Sequence, residues 1–547
     1  MKRAKDIEDF AIELTKVRSI VGTKEELKAT KKVMDQCKKM EYFKKHPEDL
    51  FYVDAIDDPL ERNSVVALVR GKKGNSKKTV VLIGHTDTVG VSEYGHHIEA
   101  YATNPHKLAQ KLSEVTIPED AKIDLESGEY LFARGIFDMK TGVSTLVHIL
   151  EELSEDVENL QGNVIFAGVC DEEGGSAGML SLVPRLVDMM EEEGFDYRAL
   201  IDTDYSAPRF EGDKSRYIYV GTVGKIMPSF FIVGSESHAG DPYQGLDPNQ
   251  ISSAIVEEMN LSMDYADQAE GEVTVPPVTL RQRDLKREYS VQTAKTAYLY
   301  FNFSTHSASP DQIMEKVKKG TKKAFKKVID SLNSEFKVYS ERSGFAYYKL
   351  PWKERVLSYS ELYRLVKAQS GEEVDQRLKA LEEKLLKEEG VDDREYSLRM
   401  VELVHSMWKD KNPLVVVFYS PPYYPHIYVK GENKKEKELL QAVAAAQKNL
   451  RSDYDIKMRK FYPYISDLSY GAAPREKKAL ESLKENMPGF GTKYKLPLEE
   501  MQKLDLPVVN IGPFGKDAHK FTERVQRDYS YNVAPGLVKD TILNLLK

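Results

Sequence analysis

Three acids stand side by side in the stretch GVCDEEGGSAGM (168–179): Asp171, Glu172 and Glu173 follow directly on the apolar run NVIFAGV. Adjacent carboxylates at the end of a buried strand repel one another and lose hydration, so something must offset their cost. Other apolar runs end in the same kind of residue. VVLIGHTDTVG puts His85 and Asp87 after one, and ALIDTD puts Asp202 and Asp204 after another. ARGIFDMKTG sets Asp138 in a glycine-bounded loop before a helical pattern, and GKDAHKFTERV sets His519 after LPVVNIG. Two imidazoles and several carboxylates converging on one edge make a metal site of hard-to-borderline donors. A pair of divalent cations would turn the crowded carboxylates from costly to stabilising. One of the two adjacent glutamates can then bind metal while the other stays free as a general base for an activated water.

The elements that must position these residues are legible as changes of period. TVVLIGH (79–85), NVIFAGV (163–169) and RALID (198–202) are short apolar runs of the kind found in buried parallel strands. Helical patterns over 24–40, 141–153 and 180–193 alternate with them. This order predicts an α/β fold, a sheet covered by helices on both faces, with ligands bound beyond the carboxyl ends of its strands. Near residue 216 the character changes. SRYIYVGTVGKIMPSFFIVGSES reads as a long antiparallel pair, followed by a helix at 248–260, strands in VTVPPVTLRQ and TAYLYFNFS, and a helix at 309–332. Residues 360–410 read as a charged helical addition with a solvated face, carrying Glu/Lys pairs at helical spacing. Sheet-and-helix character returns with LVVVFYS (414–420), a helix at 434–450, LPVVNIG (506–512) and the helix APGLVKDTILNLL. The predicted organisation is a catalytic domain in two parts, 1–215 and 411–547, interrupted by an inserted α+β domain at 216–410.

Composition narrows the class. The 547 residues are 41% hydrophobic and 30% charged, with a net charge of -8, which fits a soluble globular chain and argues against nucleic acid as a partner. No window approaches the roughly 20 apolar residues of a membrane span. The N-terminal MKRAKDIEDFAIELTKV reads as an amphipathic helix and not as a signal peptide, because acids follow its basic start. Cys37 and Cys170 are the only cysteines, which fits a cytoplasmic location and excludes a thiolate metal cluster. Cys170 reads as a small packing residue and His148 as part of a helix core.

With these residues in view, the chain resembles the aminoacylase/carboxypeptidase/dipeptidase group of co-catalytic dizinc metallohydrolases, metallopeptidase family twenty. GHTDTVG, ARGIFDMKTG, DEEGGSAGM, SHAGDPYQGLDPN and DAHKFTERV match its motifs in its order. The length and the segments PPYYPHIYV and FYPYISDLSYG resemble its arginine-utilisation RocB branch. The resemblance implies a zinc-peptidase-like catalytic domain with a mixed sheet, and an inserted lid and dimerisation domain. It implies two Zn2+ per subunit, with Co2+ or Mn2+ as alternatives. His85, Asp138 and Asp204 would hold the first, and Asp138, Glu173 and His519 the second, with Asp138 bridging. Asp202 stays open as the alternative to Asp204, since DTDYS stands where the family has Glu-Pro. Glu172 would be the general base. Asp87 would accept the second imidazole N–H of His85 and fix its tautomer. His238 would reach across a homodimer, formed through the inserted domain, to stabilise an oxyanion. The implied substrate is a small amide, a peptide or an N-acyl amino acid. Relatives often carry Asp-x-Arg on an insert strand to grip a substrate carboxylate, whereas LYFNFSTH offers Asn302 and no arginine. Asp467 in ISDLSYG resembles a Gly-Gly-Thr-Asp pocket motif without its glycines. The rival readings are a hydrolase of a non-peptide C–N bond and a non-catalytic binding protein on the same fold.

Overall fold

The computed structural model describes residues 2–547 and divides into two compact units. Unit one comprises Met1–Thr222, Ile427–Ala473 and Pro497–Lys547. Its centre is an eight-stranded sheet in the order Leu50–Asp54, Asn63–Arg70, Asn163–Val169, Lys78–His85, Asp196–Asp202, Val508–Asn510, Arg216–Tyr219, Ile456–Arg459. The four strands from Asn163–Val169 to Val508–Asn510 are mutually parallel, so all four end on the same edge. Asn163–Val169 is buried at every residue, as a strand covered on both faces should be. Helices Thr141–Glu155 and Ala177–Glu193 pack on this sheet through Val143, Leu146, Leu150, Leu182 and Leu186. The N-terminal segment does form a helix, Lys2–Thr15, whose Ala11 and Leu14 are fully buried.

Unit two comprises Val223–His426 and Pro474–Leu496. Its five-stranded sheet runs Val278–Asp284, Thr296–Thr305, Gly224–Val233, Leu414–Tyr424, Val356–Ser358, antiparallel except for the last pair. Helices Pro248–Met259 and Pro310–Ser343 pack on this sheet, and Tyr359–Ser370 and Asp393–Met407 add Leu362, Val366, Leu398, Val401 and Val404 to a core with Phe231, Val233, Val416 and Phe418. The helix Glu373–Leu385 buries only Val374 and Leu385, so it presents the solvated face that its Glu/Lys pairs suggest. No helix among the described residues is long and apolar enough to cross a membrane.

The boundaries differ from those expected at 216–410. Arg216–Tyr219 does not pair with the strand that follows it; it joins the large sheet beside Ile456–Arg459. The chain turns at Gly221, which has φ 123°, a value open chiefly to glycine, and only then enters the second sheet at Gly224. LVVVFYS belongs to unit two, because Leu414–Tyr424 is a central strand beside Gly224–Val233. Residues 474–496 also join unit two. An apolar run reports that a strand is buried on both faces, and both sheets offer such a place.

Candidate metal centre

Register on the large sheet sets the first contacts. His85 is level with Val169, and Ile83 is level with Asp202, so three chemistry-bearing loops leave the same edge together. Two glycines let neighbouring segments close on that edge. A Cβ at Gly142, at the start of the helix after Asp138, would lie 2.2 Å from the Thr203 carbonyl oxygen, and one at Gly512 would lie 1.7 Å from that of Asp204. Asp138 itself is buried, and its peptide bond to Met139 is cis. His519 has φ 67°, in the left-handed region that disfavours a side chain, which marks a backbone held by its surroundings.

At the centre, each carboxylate oxygen of Asp138 faces a different imidazole. Oδ1 lies 3.0 Å from Nε2 of His85, and Oδ2 lies 3.0 Å from Nε2 of His519. His519 Nε2 is also 3.0 Å from Glu173 Oε1. Two groups of potential ligand atoms, His85–Asp138–Asp204 and Asp138–Glu173–His519, each lie within 4.8 Å of one another and share Asp138. Three protein donors per group leave room for substrate or water on a tetrahedral ion. Asp202, the alternative to Asp204, is occupied: its Oδ1 accepts from the Thr203 N–H at 2.8 Å and its Oδ2 from the Ser466 hydroxyl at 3.0 Å.

The charges are out of balance without cations. Burial, followed by Asp138 and Asp202, pushes the Asp204 carboxyl well above its usual range. Burial also pushes up Glu172, and Asp467, Glu173 and Asp204 add to it while His85 opposes. For His85 burial lowers the pKa, but Asp138, Glu172 and Asp87 outweigh it and hold the imidazole well above its ordinary value. Hydrogen bonds to Asp138 and Glu173 raise His519 to about 10. Two carboxylate-rich groups that capture protons onto both imidazoles are a donor set suited to divalent cations.

The three adjacent acids divide their work. Asp171 is structural: Arg62 pairs with its Oδ1, and its Oδ2 accepts from the N–H of Gly175 at 3.2 Å and of Ala177 at 3.1 Å. Glu173 faces His519, and Glu172 belongs to a group with His85. The Asp87 contact differs from expectation. His85 Nδ1 meets the backbone carbonyl of Asp87 at 3.2 Å, whereas the nearer carboxylate oxygen is 3.8 Å away. The Asp87 carboxylate is drawn instead to the backbone N–H groups of Glu172 at 3.2 Å and Glu173 at 3.1 Å. It thereby fixes the turn that carries both glutamates.

His238 lies in unit two and is exposed. Its Nδ1 accepts from the Gly240 N–H at 2.9 Å, which puts the neutral ring's proton on Nε2. His148 is a buried helix residue bonded to the Ser144 carbonyl oxygen at 2.8 Å, and Cys170 is fully buried with its thiol pushed up by burial. Two residues that sequence reasoning passed over hold the centre in place. Glu523 Oε1 accepts from the N–H of Gly135 at 2.8 Å and of Phe137 and Asp138 at 3.2 Å. Arg134 donates to Glu523 Oε2, to the His519 carbonyl oxygen at 3.1 Å and to the Gly90 carbonyl oxygen at 3.1 Å. Both are essentially unexposed. Their signal was a charged residue of each sign inside two of the quoted motifs, a pattern that surface salt bridges produce equally well.

The sequence profile of peptidase family M20/M25/M40 matches residues 81–534. The chain is 32% identical to protein RocB of Bacillus subtilis (strain 168), over 100% of this chain and 96% of that protein. It is 34% identical to the uncharacterised protein YqjN of the same strain, over 98% of this chain and 95% of that one. Among solved structures, a tripeptidase from Staphylococcus aureus shares the fold with a TM-score of 0.53 at 14% identity, over 99% of this chain and 98% of that one.

Proposed function

The chain belongs to peptidase family M20/M25/M40, whose members hydrolyse their substrates with metal ions, and on that premise we propose that it cleaves the amide bond of a small peptide or N-acyl amino acid at a two-cation centre. The observation that carries this reading is Asp138, whose two oxygens each face one imidazole and which is common to both ligand groups. His85, Asp138 and Asp204 would hold one cation, and Asp138, Glu173 and His519 the other. Zn2+ suits two imidazoles and three carboxylates, and Co2+ or Mn2+ would serve the same donors. Bound there, the cations would polarise the scissile carbonyl and make water acidic enough to deprotonate near neutral pH.

The chain's own residues do the rest. Glu172 takes the proton from the attacking water on Oε1 or Oε2 and returns it to the nitrogen of the leaving amine. Asp87, through the amides of Glu172 and Glu173, keeps the base and the ligand in fixed relation. His238, with its proton on Nε2, is suited to donate to the oxyanion, in trans within a homodimer formed through the inserted domain. The substrate is not gripped by an arginine on the strand Thr296–Thr305, where Asn302 is half-buried and paired across to Val278.

Metal analysis coupled to hydrolysis of a panel of N-acyl amino acids, dipeptides and tripeptides tests the reading. Two equivalents of divalent metal, activity lost to a chelator and restored by Zn2+, Co2+ or Mn2+, are expected. Hydrolysis indifferent to chelation, or a purified chain that takes up no metal, would overturn it.

A further inference from the structure

A continuous ladder of aromatic rings leads away from the metal-ligand residues within unit one. Phe137, beside Asp138, packs on Tyr205 with ring centroids 4.8 Å apart, and Tyr205 packs on Tyr464 at 4.9 Å. Tyr464 meets Tyr462 at 5.5 Å, and Tyr462 meets Tyr219 at 5.4 Å. Tyr219 lies 5.8 Å from Tyr217, over whose ring the Arg209 guanidinium stands at 5.8 Å. The lower rungs are closed: Tyr462 is 0% exposed and Tyr219 2%. Tyr464 is 39% exposed and Tyr205 half-buried, so among these rings the ladder opens to solvent at Tyr205 and Tyr464, one step beyond the buried Phe137. Tyr205 is also the residue after Asp204, and its backbone N–H donates to Asp204 Oδ1 at 2.7 Å.

We propose that Tyr205 and Tyr464 form a stacking subsite for a planar ring carried by the substrate next to its scissile bond. Partly exposed aromatic rings held by a rigid, buried support lose little freedom on binding and offer a flat face, which favours offset stacking. The subsite rests on the hydrolase reading for its position relative to a scissile bond, but not for its ability to bind a ring.

Calorimetric binding to the metal-loaded, full-length chain tests it with probes that cannot be hydrolysed. Phenylalanine should bind about three- to tenfold more tightly than cyclohexylalanine, and benzoate should exceed cyclohexanecarboxylate by a similar factor. Tyr464→Ala should abolish the planar preference, and Tyr464→Phe should keep it. Equal affinities for planar and saturated rings, a planar preference that survives Tyr464→Ala, or no binding of any ring would each overturn the proposal. A planar preference lost in Tyr464→Ala, in a chain that hydrolyses nothing on the panel, would leave the subsite standing and count against the hydrolase reading alone.

Discussion

Nε2 of His519 and Oδ2 of Asp138 lie 3.0 Å apart, a hydrogen-bonded pair where two ligands of one cation would stand. Asp138 and Glu173 raise His519 to about 10, so its imidazole holds a proton tightly when no metal is bound. In the metal-free chain this pair stabilises the fold fully below the unfolded imidazole pKa of about 6.5, and the contribution is lost as pH rises through about 10. Thermal unfolding of chelated protein between pH 6 and 10 should therefore show a decline that His519→Gln lacks. Metal binding at pH 8 should release about one proton from this residue, read by calorimetry in buffers of different ionisation enthalpy.

Glu172→Gln should lower kcat by roughly 100-fold or more while two equivalents of metal stay bound. Only Glu173 of the adjacent pair faces His519. Loss of one metal equivalent in this variant would mean that the two glutamates have exchanged roles.

Glu523→Gln should weaken metal binding by about 10- to 100-fold without removing any ligand. The amide can still accept from the three N–H groups, but it loses the charge that pairs with Arg134. A competition titration with a chromophoric chelator measures the change. Unchanged affinity with a lowered melting temperature would reduce Glu523 to a purely structural residue.

Mixing inactive His238→Ala with inactive Glu172→Gln protein should restore part of the activity after subunit exchange, because one hybrid site would hold both residues. An active monomer in sedimentation at micromolar concentration would rule out action in trans.

Amidation of the substrate carboxylate should change kcat/KM by less than about tenfold. Loss of a charge-assisted fork would cost roughly 100-fold, about 2.7 kcal/mol of transition-state binding. A loss of that size would require a basic anchor elsewhere in the chain.

How much of this was legible in one dimension depends on range. Apolar runs of strand length followed by His, Asp or Glu predicted the parallel strands Lys78–His85, Asn163–Val169 and Asp196–Asp202, and with them the edge on which His85, Glu172 and Asp204 meet. Burial on both faces imposes that pattern locally, so it can be read locally. The same pattern cannot say which sheet a strand joins, and Leu414–Tyr424 and Arg216–Tyr219 each belong to the sheet other than the one expected. The family resemblance likewise implied Asp87 as a partner of His85, but a difference of 0.6 Å between carbonyl and carboxylate decided which atom serves. The grouping of Asp204, and not Asp202, with His85 and Asp138, and the bond from Asp202 to the Ser466 hydroxyl of a distant segment, are visible only in three dimensions. The sequence alone placed the candidate donors and the strand ends that carry them, because those follow from charge and hydrophobic period. Only the tertiary structure decided sheet membership, the buried Arg134–Glu523 support and the tyrosine ladder, because each depends on which distant segments are packed together.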